Sequence, residues 1–367
     1  MESSFPQILH KIFLLKRLLT IITLLLPLVA FAQSSESRWQ RFLTASKLFL
    51  DSTDVSGCDL SYVRPFKRPW TINLSIRQYG TSLKTWSGNG TRASLDSDPK
   101  INLKLNLAYR GYGLSYSHNL SNATEREFSL SKRGAVYGLE FRRYKSSNIA
   151  GNITGDKTLT TDESFKYYAD RGQISKKSSE LTYYYVFNHR TFSYPAAITG
   201  TVRQIRSCGS PILAAVYYNS NIQSRNDSLS YFWGDVRRIK IRQLSIGGGY
   251  GYNYVFGHNS CFLVHGSVMP MLSVYRRNKL YTLHSQKDIE EDSFLDSDRY
   301  LNYFHSLTDR NSSLKLTALF RFSFHYSWRN SIVGYRAGIN RTDVGSSKKF
   351  RTVSTEWNSD LYVGYRF

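Results

Sequence analysis

Leu361-Tyr362-Val363-Gly364-Tyr365-Arg366-Phe367 alternates strictly: Leu361, Val363, Tyr365 and Phe367 share one face of an extended strand, and Tyr362, Gly364 and Arg366 share the other. Successive strand side chains point to opposite faces, so one face here is apolar and the other polar. Lipid on one side and a wet interior on the other demand that pattern. A sheet that crosses a bilayer must also pair every backbone group, which it does by closing on itself. The stretch therefore predicts a strand of a transmembrane β-barrel.

The same period recurs upstream. It is clearest in Trp70-Thr71-Ile72-Asn73-Leu74-Ser75-Ile76-Arg77, in Ile101-Asn102-Leu103-Lys104-Leu105-Asn106-Leu107, and from Leu314 through Tyr326. A half-buried sandwich strand alternates too. Several of these runs, however, approach the roughly 9–11 residues that cross a bilayer at a tilt. Twelve strands are expected, near residues 70–79, 101–108, 112–119, 124–131, 135–145, 180–187, 210–219, 239–254, 261–274, 313–326, 331–340 and 356–367. Ten is the alternative if 112–131 is wrongly divided. Short turns at 109–111, 132–134, 257–259 and 328–330 face long polar loops at 80–100, 146–179, 220–238, 275–312 and 341–355. That asymmetry belongs to membrane barrels, whose short turns face the periplasm. The expected fold is thus all-β, a transmembrane antiparallel up-and-down barrel, preceded by a short helical segment within 35–50.

Lys11, Lys16 and Arg17 precede an apolar run from Leu18 to Phe31 that ends in Ala30-Phe31-Ala32. A basic start, a short apolar run and small residues at a cleavage position read as a secretory signal peptide. The expected organisation is a signal peptide over 1–32, a periplasmic segment over 33–69 and the barrel over 70–367. Mean hydropathy of -0.39 excludes a helical membrane protein. Cys58, Cys208 and Cys261 offer neither a metal motif nor a dense disulfide framework, and no bridge is expected. The net charge of +22 asks for an anionic partner. The basic residues follow no nucleic-acid reading motif, so phosphate-rich lipid is the expected partner and nucleic acid is not.

Tyr184-Tyr185-Val186-Phe187-Asn188-His189-Arg190-Thr191-Phe192-Ser193-Tyr194-Pro195-Ala196-Ala197 resembles the central motif of a domain-of-unknown-function family. Its members look like outer-membrane barrels of Gram-negative bacteria. The basic segment Arg203-Gln204-Ile205-Arg206-Ser207-Cys208-Gly209-Ser210 is similar to the one that follows that motif. The resemblance implies a fold and an outer-membrane location but no activity. It also implies the partners of such barrels: outer-membrane lipid, lipopolysaccharide and the barrel-assembly machinery. For that machinery the closing aromatics Tyr365 and Phe367 would be the assembly signal.

Placing the apolar faces outward puts Arg77, Lys104, Arg110, Arg142, Lys315, Arg321, Arg336 and Arg366 inside, with Glu140 and Asp360. A charge on the lipid face at mid-membrane costs about 2–4 kcal/mol, which all but forces this assignment. The lumen is therefore expected to be predominantly basic. It would suit small anionic solutes, or its arginines would pair with the inward carboxylates in a barrel too narrow to conduct. Residues 188–209 are apolar and Pro-containing for a loop, with Phe192, Tyr194 and Pro195 followed by Arg203 and Arg206. Such a segment tucks against something, either as a plug in the lumen or as a cap on the periplasmic mouth. Ser267 lies two residues from His265 on one strand face, but no group to orient the imidazole is evident. No enzyme, cofactor or metal is expected. Three roles stay open: a narrow pore or binding barrel for anions, a plugged surface-interaction barrel, and, last, an outer-membrane hydrolase.

Overall fold

The computed structural model describes residue 44 and residues 57–87, 90–98, 100–120, 125–156, 163–282, 307–309, 315–346 and 350–367. The expected signal peptide, most of the expected helical segment and residues 283–306, with the acidic run 288–298, lie outside the described residues. The first half of the fold comprises β1 (Val63–Pro65), β2 (Trp70–Ser87), β3 (Arg92–Ser97), β4 (Lys100–Tyr109), β5 (Tyr112–Asn119), β6 (Arg126–Arg133), β7 (Tyr137–Gly155) and β8 (Phe165–Val186). A short helix α1 (Tyr194–Ile198) and β9 (Val202–Gln204) follow, then β10 (Cys208–Ser224), α2 (Asp227–Phe232), β11 (Val236–Phe256) and β12 (Phe262–Thr282). The chain ends with β13 (Leu307–Asp309), β14 (Leu316–Trp328), β15 (Ser331–Ser346) and β16 (Phe350–Arg366).

Twelve of the described strands form a closed antiparallel ring: β2, β4, β5, β6, β7, β8, β10, β11, β12, β14, β15 and β16, which pairs back to β2. Each expected strand has its counterpart, and the division within 112–131 is real, because β5 and β6 pair along Tyr112↔Lys132 to His118↔Arg126. Closure removes every edge, as a bilayer requires. On β2, Ile72, Leu74 and Ile76 face outward while Thr71, Asn73, Ser75 and Arg77 are buried inside. An aromatic belt rings the short-turn end, where Trp70 meets Tyr109 at 4.8 Å and Phe256 stacks on Phe262 at 5.0 Å. The ladder between β11 and β12 shifts register at Val236/Arg238 and Leu244/Ser245, and it is interrupted where Pro270 has no N–H to give and the pairing skips Gly248 and Gly249. Only glycine fits there, since a Cβ on Gly247 or Gly249 would collide with the carbonyl oxygens of Pro270 or Val268.

The long loops need correction: most of their length is strand. β2 runs on to Ser87 and turns back as β3, β7 reaches Gly155, and β8 begins at Phe165. Past the lipid belt the alternation inverts. Leu83, Leu95, Ile149, Ile153, Ile174, Ile222 and Ile239 point inward and are fully buried, whereas Lys84 and Lys166 point to solvent. Water has replaced lipid outside the wall, so apolar side chains stabilise the interior instead. Trp233, just after α2, sits in this upper cluster and donates from Nε1 to Thr85 Oγ1 at 2.9 Å.

Candidate functional site

The interior of the ring is built in three layers. At the long-loop end lies the apolar cluster just described. At the short-turn end residues 188–207 turn into the barrel, and Phe192, Tyr194, Ala196 and Ala197 are wholly buried. The turn of α1 forms because Ser193 caps it, accepting from Ala196 N at 3.1 Å, and because Pro195 suits a helix's first positions. Its carbonyls have no helical partners beyond the first turn. The barrel wall supplies them: Ser323 Oγ donates to Ala197 O at 2.6 Å, Arg336 to Ile198 O at 2.9 Å, and Arg366 to Gly200 O at 3.0 Å. From the same segment β9 pairs with β1. The Arg203 side chain is half-buried, and Arg206 lies exposed over the Tyr62 ring at 5.4 Å.

Between the two ends lies an ionic layer. Arg77 pairs with Glu127 at 2.7 Å and Asp360 at 3.2 Å, and Lys104 with Glu127 at 3.5 Å. Glu140 bridges Arg133 at 2.8 Å and Arg321 at 3.1 Å. Glu356 takes Lys176 at 2.8 Å, Arg142 at 3.3 Å and the Tyr218 hydroxyl at 2.6 Å, while Arg142 also reaches Glu180 at 3.2 Å. Lys315 pairs with Asp343 at 2.9 Å. A cavity of about 130 Å³ lies among these groups. It is small beside the roughly 300–1,000 Å³ of an ordinary ligand pocket.

Two expectations are corrected here. Arg110 is not on the wall but in the turn after β4, at positive φ, with its guanidinium on Phe66 O. Nor do the lumen's cations stand as free as expected, because Glu127, Glu180, Glu356 and Asp343 join Glu140 and Asp360 inside and pair with most of them. The other seven basic residues do face inward. Tyr365 and Phe367 lie on the lipid side, where Phe367 stacks on Trp70 at 6.4 Å and pairs with it through the backbone.

One constellation was only half legible. His265 Nδ1 lies 2.8 Å from Asn253 Oδ1, and its Nε2 lies 3.1 Å from Ser267 Oγ. Asn253 donates through Nδ2 to Ser193 O at 2.9 Å and Gln204 Oε1 at 3.2 Å, so its oxygen faces the imidazole. Nδ1 must then carry the proton, and Nε2 accepts from the serine hydroxyl. The missing orienting group is therefore an amide on the neighbouring strand. The rings of Tyr194 and Phe192 cover the imidazole at 5.5 and 6.1 Å.

A closed ring with an apolar outer belt and sorted connections is the architecture of an outer-membrane barrel. The family described as Domain of unknown function (DUF4421) matches residues 54–367. The chain belongs to this family. No curated protein matches the sequence. Among solved structures, the outer membrane protease OmpT from Escherichia coli is 9% identical, with 83% of this chain and 97% of that chain covered at a TM-score of 0.37. The translocator domain of the autotransporter NalP from Neisseria meningitidis is 12% identical, covering 89% and 96% at 0.34. The toluene transporter TodX of P. putida is 8% identical, covering 87% and 93% at 0.26. The expectation of a non-enzyme is withdrawn, since the orienting group it found missing beside His265 is present as Asn253.

Proposed function

We propose that this DUF4421 protein is a closed outer-membrane barrel that acts through its outer surface rather than as a conduit. The observation that carries this reading is the filled interior, apolar at both ends with an ion-paired layer between. A pore for anions needs cations free to meet its solute, yet Arg77, Lys104, Arg142 and Arg321 already face carboxylates within 3.5 Å. In planar-bilayer recording, refolded full-length protein should insert without conductance steps. Steady anion-selective steps abolished by Arg321→Glu would restore the pore.

A second reading, a hydrolase, is favoured by the Ser267–His265–Asn253 geometry. A nucleophile within reach of a base, with a third group fixing the base's tautomer, is the arrangement of acyl-transfer enzymes. Ser267 Oγ would attack an acyl carbon and pass its proton to His265 Nε2. The imidazolium would return that proton to the leaving group, and water would then release the acyl chain. Tyr194 and Phe192 cover the pair, so the inner segment would have to withdraw first. A fluorophosphonate probe should label Ser267 in the full-length protein, and His265→Ala should abolish labelling. Absence of label under conditions that displace the inner segment would remove this reading.

A further inference from the structure

The outward faces of six consecutive ring strands carry three parallel register rows. The first is apolar: Leu130↔Phe141↔Leu181↔Tyr217↔Leu244↔Tyr275, crossing β6, β7, β8, β10, β11 and β12. Two residues further along each strand, towards the long-loop end, comes Phe128↔Arg143↔Ser179↔Asn219↔Arg242↔Arg277. Two further on, the row is Arg126↔Lys145↔Lys177↔Asn221↔Lys240↔Lys279. Chemistry thus passes from hydrocarbon to cation within four residues of strand, on the side of the barrel that faces away from the short turns.

Like charges placed directly opposite one another across strands destabilise a sheet. Here Arg242 opposes Arg277, and Lys240 opposes both Lys279 and Asn221, so four cations form a two-by-two grid flanked by two amides. Among the described residues no carboxylate pairs with any of the four. On the inward face of the same group of strands Arg133, Arg142 and Lys176 each meet a carboxylate, which the four outward cations do not among the described residues. The outer leaflet's edge is where phosphate charge gathers, and basic side chains at such an edge are attracted to it. Arginine in addition offers a planar fork to phosphate oxygens.

We propose that this face of β10, β11 and β12, flanked by Lys177 of β8, docks a phosphorylated glycolipid of the outer leaflet. Its phosphates would lie on the grid of Arg242, Arg277, Lys240 and Lys279. Its acyl chains would run down the half-buried Leu244 and the exposed Tyr275, Ile246 and Leu272, which form the apolar surface directly below. The inference is independent of whether the lumen is closed.

Native mass spectrometry of the full-length protein in detergent, titrated with bisphosphorylated lipid A, tests it. Wild-type protein should retain lipid A at least about tenfold more tightly than the Arg242→Gln, Lys240→Gln, Arg277→Gln, Lys279→Gln variant, a conservative figure for four interfacial charges. Dephosphorylated lipid A should bind as weakly as lipid A binds that variant, and inorganic phosphate should fail to displace the glycolipid. Heat-modifiable gel migration establishes that the variant is folded. If it is not, the Arg242→Gln, Arg277→Gln pair serves with a smaller loss expected in the same direction. Equal binding by wild type and variant, equal binding of the dephosphorylated lipid, or full competition by inorganic phosphate would each overturn the proposal. The first would mean that these cations serve another partner, such as the chain's own acidic run at 288–298, and the last that the site takes any free anion.

Discussion

Glu356 shows at single-residue scale what holds the interior together. Its carboxylate is buried and shared by the wholly buried Lys176, by Arg142 and by the Tyr218 hydroxyl. Breaking a buried pair by removing one partner typically costs about 3–5 kcal/mol, because it leaves an uncompensated charge. Replacing both partners with apolar residues is often neutral. Glu356→Gln should therefore lower stability by about 3–5 kcal/mol in urea unfolding from micelles, and Lys176→Met with Glu356→Leu should recover most of that loss. A loss below about 1 kcal/mol would assign these groups to solvent rather than to a buried pair. Parity could have found the inward carboxylates: Glu127, Glu180 and Glu356 fall in step with Ser129, Thr182 and Asp360 on their strands. Asn253 could not be found that way, because its meeting with His265 depends on a cross-strand register set by the turn at 257–261.

At the scale of elements, the strands inside the lipid belt were legible and their continuations were not. Within the belt, lipid and interior impose opposite demands, and the sequence alternates apolar-out. Beyond it the wall meets water, and β7 carries Ile149 and Ile153 inward among serine, asparagine and threonine. A stretch such as 146–155 then reads as a polar loop unless the inversion is anticipated. The inner segment 188–207 was legible as a tucked, apolar connection. Whether it entered the barrel or capped it was not, because that depends on donors from three other strands: Ser323, Arg336 and Arg366. The same contacts show why α1 is short: its carbonyls are turned outward to the wall instead of continuing a helix.

For the whole molecule, one wall performs two tasks. Its lower part is an inside-out protein with hydrocarbon outside and ions within, and its upper part is an ordinary one with an apolar core. The net charge of +22 fits this division, since most inward cations meet carboxylates, Arg366 meets the Gly200 carbonyl, and further cations lie beyond the belt. An arginine at the bilayer midplane would cost about 2–4 kcal/mol, against nearly nothing at the interface. That places the membrane's outer edge between Leu244 and Arg242 on β11, and between Tyr275 and Arg277 on β12. The most direct test is a nitroxide scan of outward positions on β12 in bilayers: Val264, Val268, Leu272, Arg277 and Lys279, each replaced by a spin-labelled cysteine in a background without Cys58, Cys208 and Cys261. Oxygen should relax the labels at Val264, Val268 and Leu272, and a water-soluble nickel chelate those at Arg277 and Lys279. Oxygen-dominated relaxation continuing through Arg277 and Lys279 would contradict the inversion at the belt's edge, and with it this account of the wall.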